Sequence, residues 1–201
     1  EREIDPQLLA DHHGPGDIIL SPKVAGGLGV IPSRIAMGGA IWKRPLTSAE
    51  VEARMAGAHR PYHAAIAAAL DEAQAVHGFA ILIDCHSMPA LPGRSGAVQL
   101  VVGDRHGRSA ASSLAEAAAA AARNAGLVVA RNHPYAGGHT LDRHARPRTG
   151  RHAIQIEIDR SLYLDADRRQ PGAGLARVRR IVAAIAAALE DEARGHALAA
   201  E

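Results

Sequence analysis

A single cysteine, Cys85, excludes an internal disulfide framework and any zinc ribbon built from cysteine pairs. A metal site in this chain would therefore use His, Asp or Glu. Aromatics are equally scarce: Trp42, Tyr62, Phe79, Tyr135 and Tyr163 are too few and too scattered to make a base-stacking platform. The arginines form no basic block and the formal charge is only +2, so no nucleic-acid partner is expected. No run of 18 or more apolar residues occurs, and the opening Glu1-Arg2-Glu3-Ile4-Asp5 is charged where a signal peptide would be apolar. These absences predict a soluble, cytoplasmic chain with no membrane partner.

What is present suits one globular domain over residues 1–201, since 47% of the residues are hydrophobic and 22% charged. Twelve histidines lie largely in short polar segments between apolar ones. Such a distribution suits a hydrolytic or metal site, and ordinary surface histidines are the simpler alternative.

Up to about Arg44 the chain is rich in Gly and Pro and reads as loops and extended connections. Thr47-Ser48-Ala49-Glu50 then has the form of a capping box, which predicts a helix from Thr47 to about His59. Pro61 should kink or restart it, and Ile66 and Leu70 carry helical spacing to about Val76. Phe79 to Asp84, Ala97 to Val102 and Leu127 to Ala130 read as three buried strands, each followed by polar residues. Between the second and third, Ser112 or Ser113 is the expected cap of a helix through Ala125, with Gly126 as its stop. Arg151 is followed by an alternating run in which Ile154, Ile156 and Ile158 take one face and Gln155, Glu157 and Asp159 the other. Leu175, Val178, Ile181, Val182, Ile185 and Leu189 then predict an amphipathic helix to about Arg194. The elements describe a three-layered α/β fold.

Polar groups placed after buried strands are the natural site candidates, because ligands gather beyond the carboxyl ends of strands in open α/β sheets. Asp84-Cys85-His86-Ser87 offers a metal ligand in His86 and an acid able to orient it; a strand-end Asp capping a loop is the structural alternative. Cys85 should point the opposite way from its neighbours, as a small core residue. In Gly103-Asp104-Arg105-His106-Gly107-Arg108-Ser109, the groups of Asp104, His106 and Ser109 either touch substrate or hold the loop. In the Asn132–Thr140 segment, Asn132, His133, Tyr135 and His139 crowd around Gly137-Gly138, a pair suited to a tight turn presenting backbone amides to an anion. Glu157 sits on a strand otherwise rich in isoleucine. Beside a metal-bound water it could act as general base, and a salt bridge to Arg160 is the simpler alternative.

These pieces follow one another in a fixed order: Asp84 to Pro89, Gly103 to Ser109, Asn132 to Gly138, and Gln155 to Glu157 followed by Leu162-Tyr163. In that order they resemble the N-formylglutamate amidohydrolase family, as do Pro61-Tyr62-His63 and the opening Arg2-Glu3-Ile4-Asp5-Pro6. The resemblance implies a three-layer α/β/α fold with a mixed central sheet, like that of the zinc carboxypeptidases and aspartoacylases. It also implies hydrolysis of N-formyl-L-glutamate to formate and L-glutamate, the last step of one route of histidine degradation. On the same ground His86 would be a ligand of Zn²⁺, Glu157 the catalytic carboxylate, and Asp84, Ser87 and Gln155 their supports. Asn132, Tyr135, Gly137, Gly138, His144 and Arg160 would contact the substrate, with Arg94, Arg146 and Arg160 as candidates for its two carboxylates.

The sequence departs from the family at one place. The other two zinc ligands of the family, a His in a Pro-His-Ser-Gly motif and a Glu soon after it, have no counterpart here, and His12 and His13 do not match that motif. The expectation is a chain lacking an N-terminal segment of its working form. Two further readings stay open: a related deacylase or peptidase of another small N-acyl amino acid, and a metal-free binding or regulatory relative.

Overall fold

The computed structural model describes residues 3–11, 18–35, 39–91 and 97–198. Its contacts divide the chain into two compact units, Glu1–Ala65 and Ile66–Glu201. In the first, two short segments form where the sequence suggests only loops. Asp5 caps a 3₁₀ turn, Pro6–Leu8, and Ser21 caps helix α1, Pro22–Ala25; each begins with a proline, which tolerates the first helical position because no amide is needed there. Helix α2, Ser48–Arg54, opens on the complete capping box: the Thr47 side chain accepts from the Glu50 amide while Glu50 accepts from the Thr47 amide. A π-helical turn, Met55–His59, follows and leads into helix α3, Arg60–His77. Pro61 lacks an amide for the helical ladder, and the looser π turn directly before it absorbs the mismatch without ending the helix. Ile4, Leu8, Leu9, Ile31, Leu46, Val51 and Met55 form the core of this unit.

The second unit is built on a four-stranded mixed sheet in the order β1-β4-β2-β3, comprising β1 (Ala80–Met88), β2 (Leu100–Gly103), β3 (Val129–Arg131) and β4 (Arg151–Asp159). β1 runs parallel to β4 and β2 parallel to β3, while β2 and β4 are antiparallel. On one face lie helices α4 (Ser112–Asn124) and α6 (Leu175–Leu198), packed over Leu100, Val102, Ile154, Ile156 and Ile158. The alanines Ala115, Ala118, Ala119 and Ala122 are all buried there, and their small side chains permit close helix packing. On the opposite face, helix α5 (His139–His144) sets Leu141 and Ala145 against Leu82 and Ala153. This is the three-layer α/β/α arrangement with a mixed central sheet that the sequence resemblance implies.

Several local expectations are corrected. β1 does not stop at Asp84; it continues to Met88 because every residue from Ala80 onward has a partner on β4. Ala111, not Ser112 or Ser113, occupies the cap position of α4, with no side-chain cap bond. Cys85 is exposed instead of serving as a small core residue, because β1 lies at an edge of the described sheet. α5 is a short helix within a stretch read as loop. Gly126 does terminate the α4 segment in the left-handed conformation, at φ 82°, with its amide donating to Arg123. Among the described residues no helix is long and apolar enough to cross a membrane.

The contrast between a cap and a core contact is measurable by denaturant unfolding. Thr47→Ala is expected to lower stability by about 1 kcal/mol. Ile156→Ala, at a residue 1% exposed, is expected to cost roughly 2–5 kcal/mol by deleting buried methylenes and leaving a cavity.

Candidate active site

The register of β1 against β4 assembles the polar residues that the sequence separates by some seventy positions. Asp84 pairs with Gln155, His86 with Glu157 and Met88 with Asp159, and side chains two apart share a face. Asp84, His86, Gln155 and Glu157 therefore lie together on the face opposite Ile154, Ile156 and Ile158. β2 closes the other side of β4, with Gly103 opposite Gln155 and Val101 opposite Glu157.

His86 Nε2 lies 3.0 Å from Asp84 Oδ1, which fixes the ring and leaves Nδ1 as the nitrogen able to take another partner. Gln155 donates from Nε2 to Glu157 Oε1 at 2.9 Å, and both are buried. Burial pushes the Glu157 carboxyl above its ordinary value, the neighbouring Asp84 adds to the rise, and His86 and Arg160 oppose it. A carboxyl raised in this way is a better proton acceptor once ionised, which is the property a general base needs. β4 thus buries polar groups on one face and isoleucines on the other; the polar face of Gln155, Glu157 and Asp159 is not solvated.

Arg160 follows β4 and donates from Nε to the Met88 carbonyl at 3.2 Å and from Nη2 to the Ser87 carbonyl at 3.3 Å. It ties the end of β1 to the end of β4, close enough to Glu157 to influence its ionisation. Ser87 enters this contact through its backbone; its side chain takes the β1 face that alternates with that of His86.

Asn132 is committed to loop structure. Its backbone is left-handed at φ 58°, its Oδ1 accepts from the amides of Asp104 at 3.0 Å and His106 at 3.3 Å, and its Nδ2 donates to Asp104 Oδ1 at 2.6 Å. Asp104 is 1% exposed and also accepts from the Gly107 amide at 3.2 Å and Arg131 Nη2 at 2.8 Å. Burial, the largest single influence, pushes the Asp104 carboxyl up, but the hydrogen bonds from Asn132, Gly107 and Arg131 outweigh it and hold the carboxyl below its ordinary value. Ser109 is likewise buried and donates to the Ala153 carbonyl at 2.8 Å. Arg131 went unnoticed in the sequence, although a cation at the end of the apolar Leu127–Ala130 run was the available signal.

The glycine pair is placed by packing. A side chain on Gly103 would come within 2.8 Å of the Ala136 carbonyl carbon, and Gly137 sits at φ 104° with Arg105 Nη1 donating to its carbonyl at 3.1 Å. Arg105 also pairs with Asp142 on α5, so the loop after β2, the glycine turn and α5 are fastened together. Gly138 occupies the cap position of α5 and Tyr135 is half-buried in the preceding loop. His144 is buried at the end of α5; burial first, then the charges of Arg143, His139, Arg146 and Arg151, push its imidazole below the ordinary value. Arg146 donates to the carbonyls of Arg143 and Ala145. Arg94, His12 and His13 lie outside the described residues.

His86 with Asp84 offers nitrogen and oxygen donors of the kind zinc accepts, whereas catalytic zinc usually has three protein ligands. Among the described residues, His86 belongs to no group of three or more His, Cys, Asp or Glu ligand atoms within 4.8 Å of one another. The set does not by itself fit a complete zinc centre. In the first unit, the ring centroids of His59 and His63 are 4.5 Å apart, with ligand nitrogens within 4.8 Å, so the pair could share a divalent cation. Their four-residue spacing was the sequence signal for it.

A mixed α/β/α sheet carrying a buried carboxylate beside an acid-held imidazole defines a hydrolase-like site. The sequence profile described as N-formylglutamate amidohydrolase matches residues 1–164, and the chain belongs to this family of amide-bond hydrolases. The crystal structure of N-formylglutamate amidohydrolase from Ralstonia eutropha is similar at 32% identity and a TM-score of 0.86, covering 96% of this chain and 72% of that one. A gene product of Agrobacterium tumefaciens is similar at 26% identity and a TM-score of 0.62, covering 80% of this chain and 61% of that one. Among curated proteins nothing matches.

Asp104→Ala is expected to cost roughly 1–3 kcal/mol, because it removes the buried acceptor shared by Asn132, Arg131 and the Gly107 amide. Asp104 is held below its unfolded value, so its contribution is full above the unfolded pKa and is lost as pH falls through the lower folded value. Acid unfolding of the Asp104→Asn variant should accordingly show a weaker dependence on pH in that window than the parent.

Proposed function

We propose that the chain hydrolyses the N-formyl amide of N-formyl-L-glutamate to formate and L-glutamate, the closing step of a histidine-degradation route. Family membership supports the reaction class, and the pairing of buried Glu157 with His86 across two parallel strands carries the residue assignment.

The bond changes follow from those residues. Ionised Glu157 takes a proton from water as the oxygen attacks the formyl carbon. The tetrahedral oxyanion that results calls for positive charge nearby. Glu157 then returns the proton to the amide nitrogen and the C–N bond breaks, giving formic acid and the amine; the acid's remaining proton passes to the amine, leaving formate and the ammonium form of L-glutamate. Gln155 fixes the Glu157 carboxylate, Asp84 fixes His86, and Arg160 holds the strand ends in place. Tyr135, Gly137, Gly138 and His144 are assigned to the substrate side of the same face, while Asn132 and Ser87 are assigned supporting roles.

Formate release from N-formyl-L-glutamate by the native gene product tests the assignment. Glu157→Gln is expected to reduce kcat roughly 10²- to 10⁴-fold. In the parent, kcat/KM should rise with pH through a value above the ordinary carboxylate range, because only ionised Glu157 accepts the proton and its pKa is raised. No release of formate, with turnover of another N-acyl amino acid, would reject the substrate; full activity in Glu157→Gln would reject the base. Zinc dependence is part of the proposal and is read in the same assay. Loss of turnover on chelation and its recovery with zinc would support zinc dependence, and indifference to both would remove zinc from the proposal.

A further inference from the structure

The first unit contains a second site, and its lining includes none of the residues assigned to the reaction. A cavity of about 460 Å³ is walled by Asp5, Ser33, Arg34, Trp42, Lys43 and Arg44. Its cations are not equivalent. Arg44 forks onto Glu50, with Nη1–Oε2 at 2.9 Å and Nη2–Oε1 at 2.7 Å, so its charge is already balanced. Arg34 lies 3.7 Å from Asp5, beyond hydrogen-bond range, and the carboxylate orients the guanidinium without taking up its donors.

Both partners in that pair are held in place. Asp5 is 5% exposed and accepts from Ser33 Oγ at 2.5 Å and from the Gln7 amide at 3.0 Å. The stem of Arg34 lies against Gly27, whose φ of 77° and lack of a side chain leave it room; any Cβ at Gly27 would overlap it. Lys43 is exposed at the same wall and, among the described residues, makes no ion pair. The remaining wall combines Gln7 with an apolar part. Trp42 is fixed by its indole donating to the Pro32 carbonyl at 2.8 Å, and Leu8 and Pro45 line the cavity beside it.

We propose that this cavity binds a small organic monocarboxylate, its carboxylate held by Arg34 and Lys43 and its carbon skeleton packed against Trp42. With Arg34 facing Asp5 and Arg44 facing Glu50, Lys43 leaves the described lining one positive charge in excess, which suits a single negative charge; the guanidinium supplies a planar pair of donors, and Trp42, Leu8 and Pro45 favour a ligand with a hydrocarbon portion. The inference does not depend on the proposed reaction.

Trp42 is the one tryptophan of the chain and lines both this cavity and a neighbouring one that includes Arg54, so its fluorescence reports binding and the Arg34, Lys43 and Arg54 variants assign it to one of the two. Hexanoate is the probe, compared with 1-hexanol and inorganic phosphate. Hexanoate should give a saturable change that hexanol and phosphate give far more weakly. Arg34→Gln and Lys43→Gln should each weaken it roughly tenfold or more. Lys43 is exposed, so its variant preserves the test if Arg34→Gln perturbs the fold. Arg54, which lies over the Trp42 ring at 4.7 Å without lining the cavity, is the control, and Arg54→Gln should leave hexanoate binding within a few fold. Absence of saturation, equal binding of hexanol or phosphate, or sensitivity to Arg54→Gln with none to Arg34→Gln and Lys43→Gln would each overturn the proposal.

Discussion

The parallel pairing of β1 with β4, nine residues in register, is the constraint on which the candidate site depends. Slipping that pairing by one residue would turn Glu157 from the polar face to the face occupied by α4 and α6, and would bring an isoleucine in its place. The register is held from both sides. Ile154, Ile156 and Ile158 must enter the apolar layer, and Arg160 reaches back from the end of β4 to the last carbonyls of β1. The cost of burying Gln155 and Glu157 is met by their mutual hydrogen bond and by the charged groups beside them, so specificity of register and preparation of the carboxylate have one physical origin.

The second element of the site is a set of loops made rigid from within. Asp104, Asn132 and Arg131 bind the loop after β2 to the loop after β3, and Arg105 continues the connection to α5 through Gly137 and Asp142. Three of the residues in these loops, Arg105, His106 and Asn132, carry positive φ values without being glycine. Such backbone is retained where surrounding hydrogen bonds determine it, and here the Asn132 side chain supplies two of them. The polar residues therefore divide into two groups, one that braces the loops and one, Asp84, His86, Gln155 and Glu157, that shares a face of β1 and β4.

Much of this was legible in the sequence because it rested on short periods. The capping box at Thr47 and Glu50, the stop at Gly126 and the alternation around Ile156 are set by neighbouring residues, and the structure places them accordingly. The layers came from the alternation of apolar strands with amphipathic helices, and the mixed sheet from the ordered motifs of the family. Less legible were features that need a partner distant in sequence. β1 continues past Asp84 because β4 lies beside it, and Cys85 is exposed because β1 is at an edge of the described sheet. To a reader of sequence alone Asp104 offered both a substrate contact and a loop brace, and Asn132 only a substrate contact. Only their 2.6 Å bond places them in the same network.

The spatial order of the sheet also bears on how the chain acquires its structure during synthesis. β4 is the last of the described strands in sequence yet lies between the first two, so β1 has no strand partner, and nothing joins it to the β2–β3 pair, until β4 is made. The sheet closes only when residues near Asp159 have been made, a long-range step of the kind that slows folding. Until then the nascent chain presents apolar strand edges, and chaperone engagement would fall in the interval between the synthesis of β1 and that of β4. Because Glu157 arrives on the closing strand itself, completion of the sheet and delivery of the carboxylate are a single event.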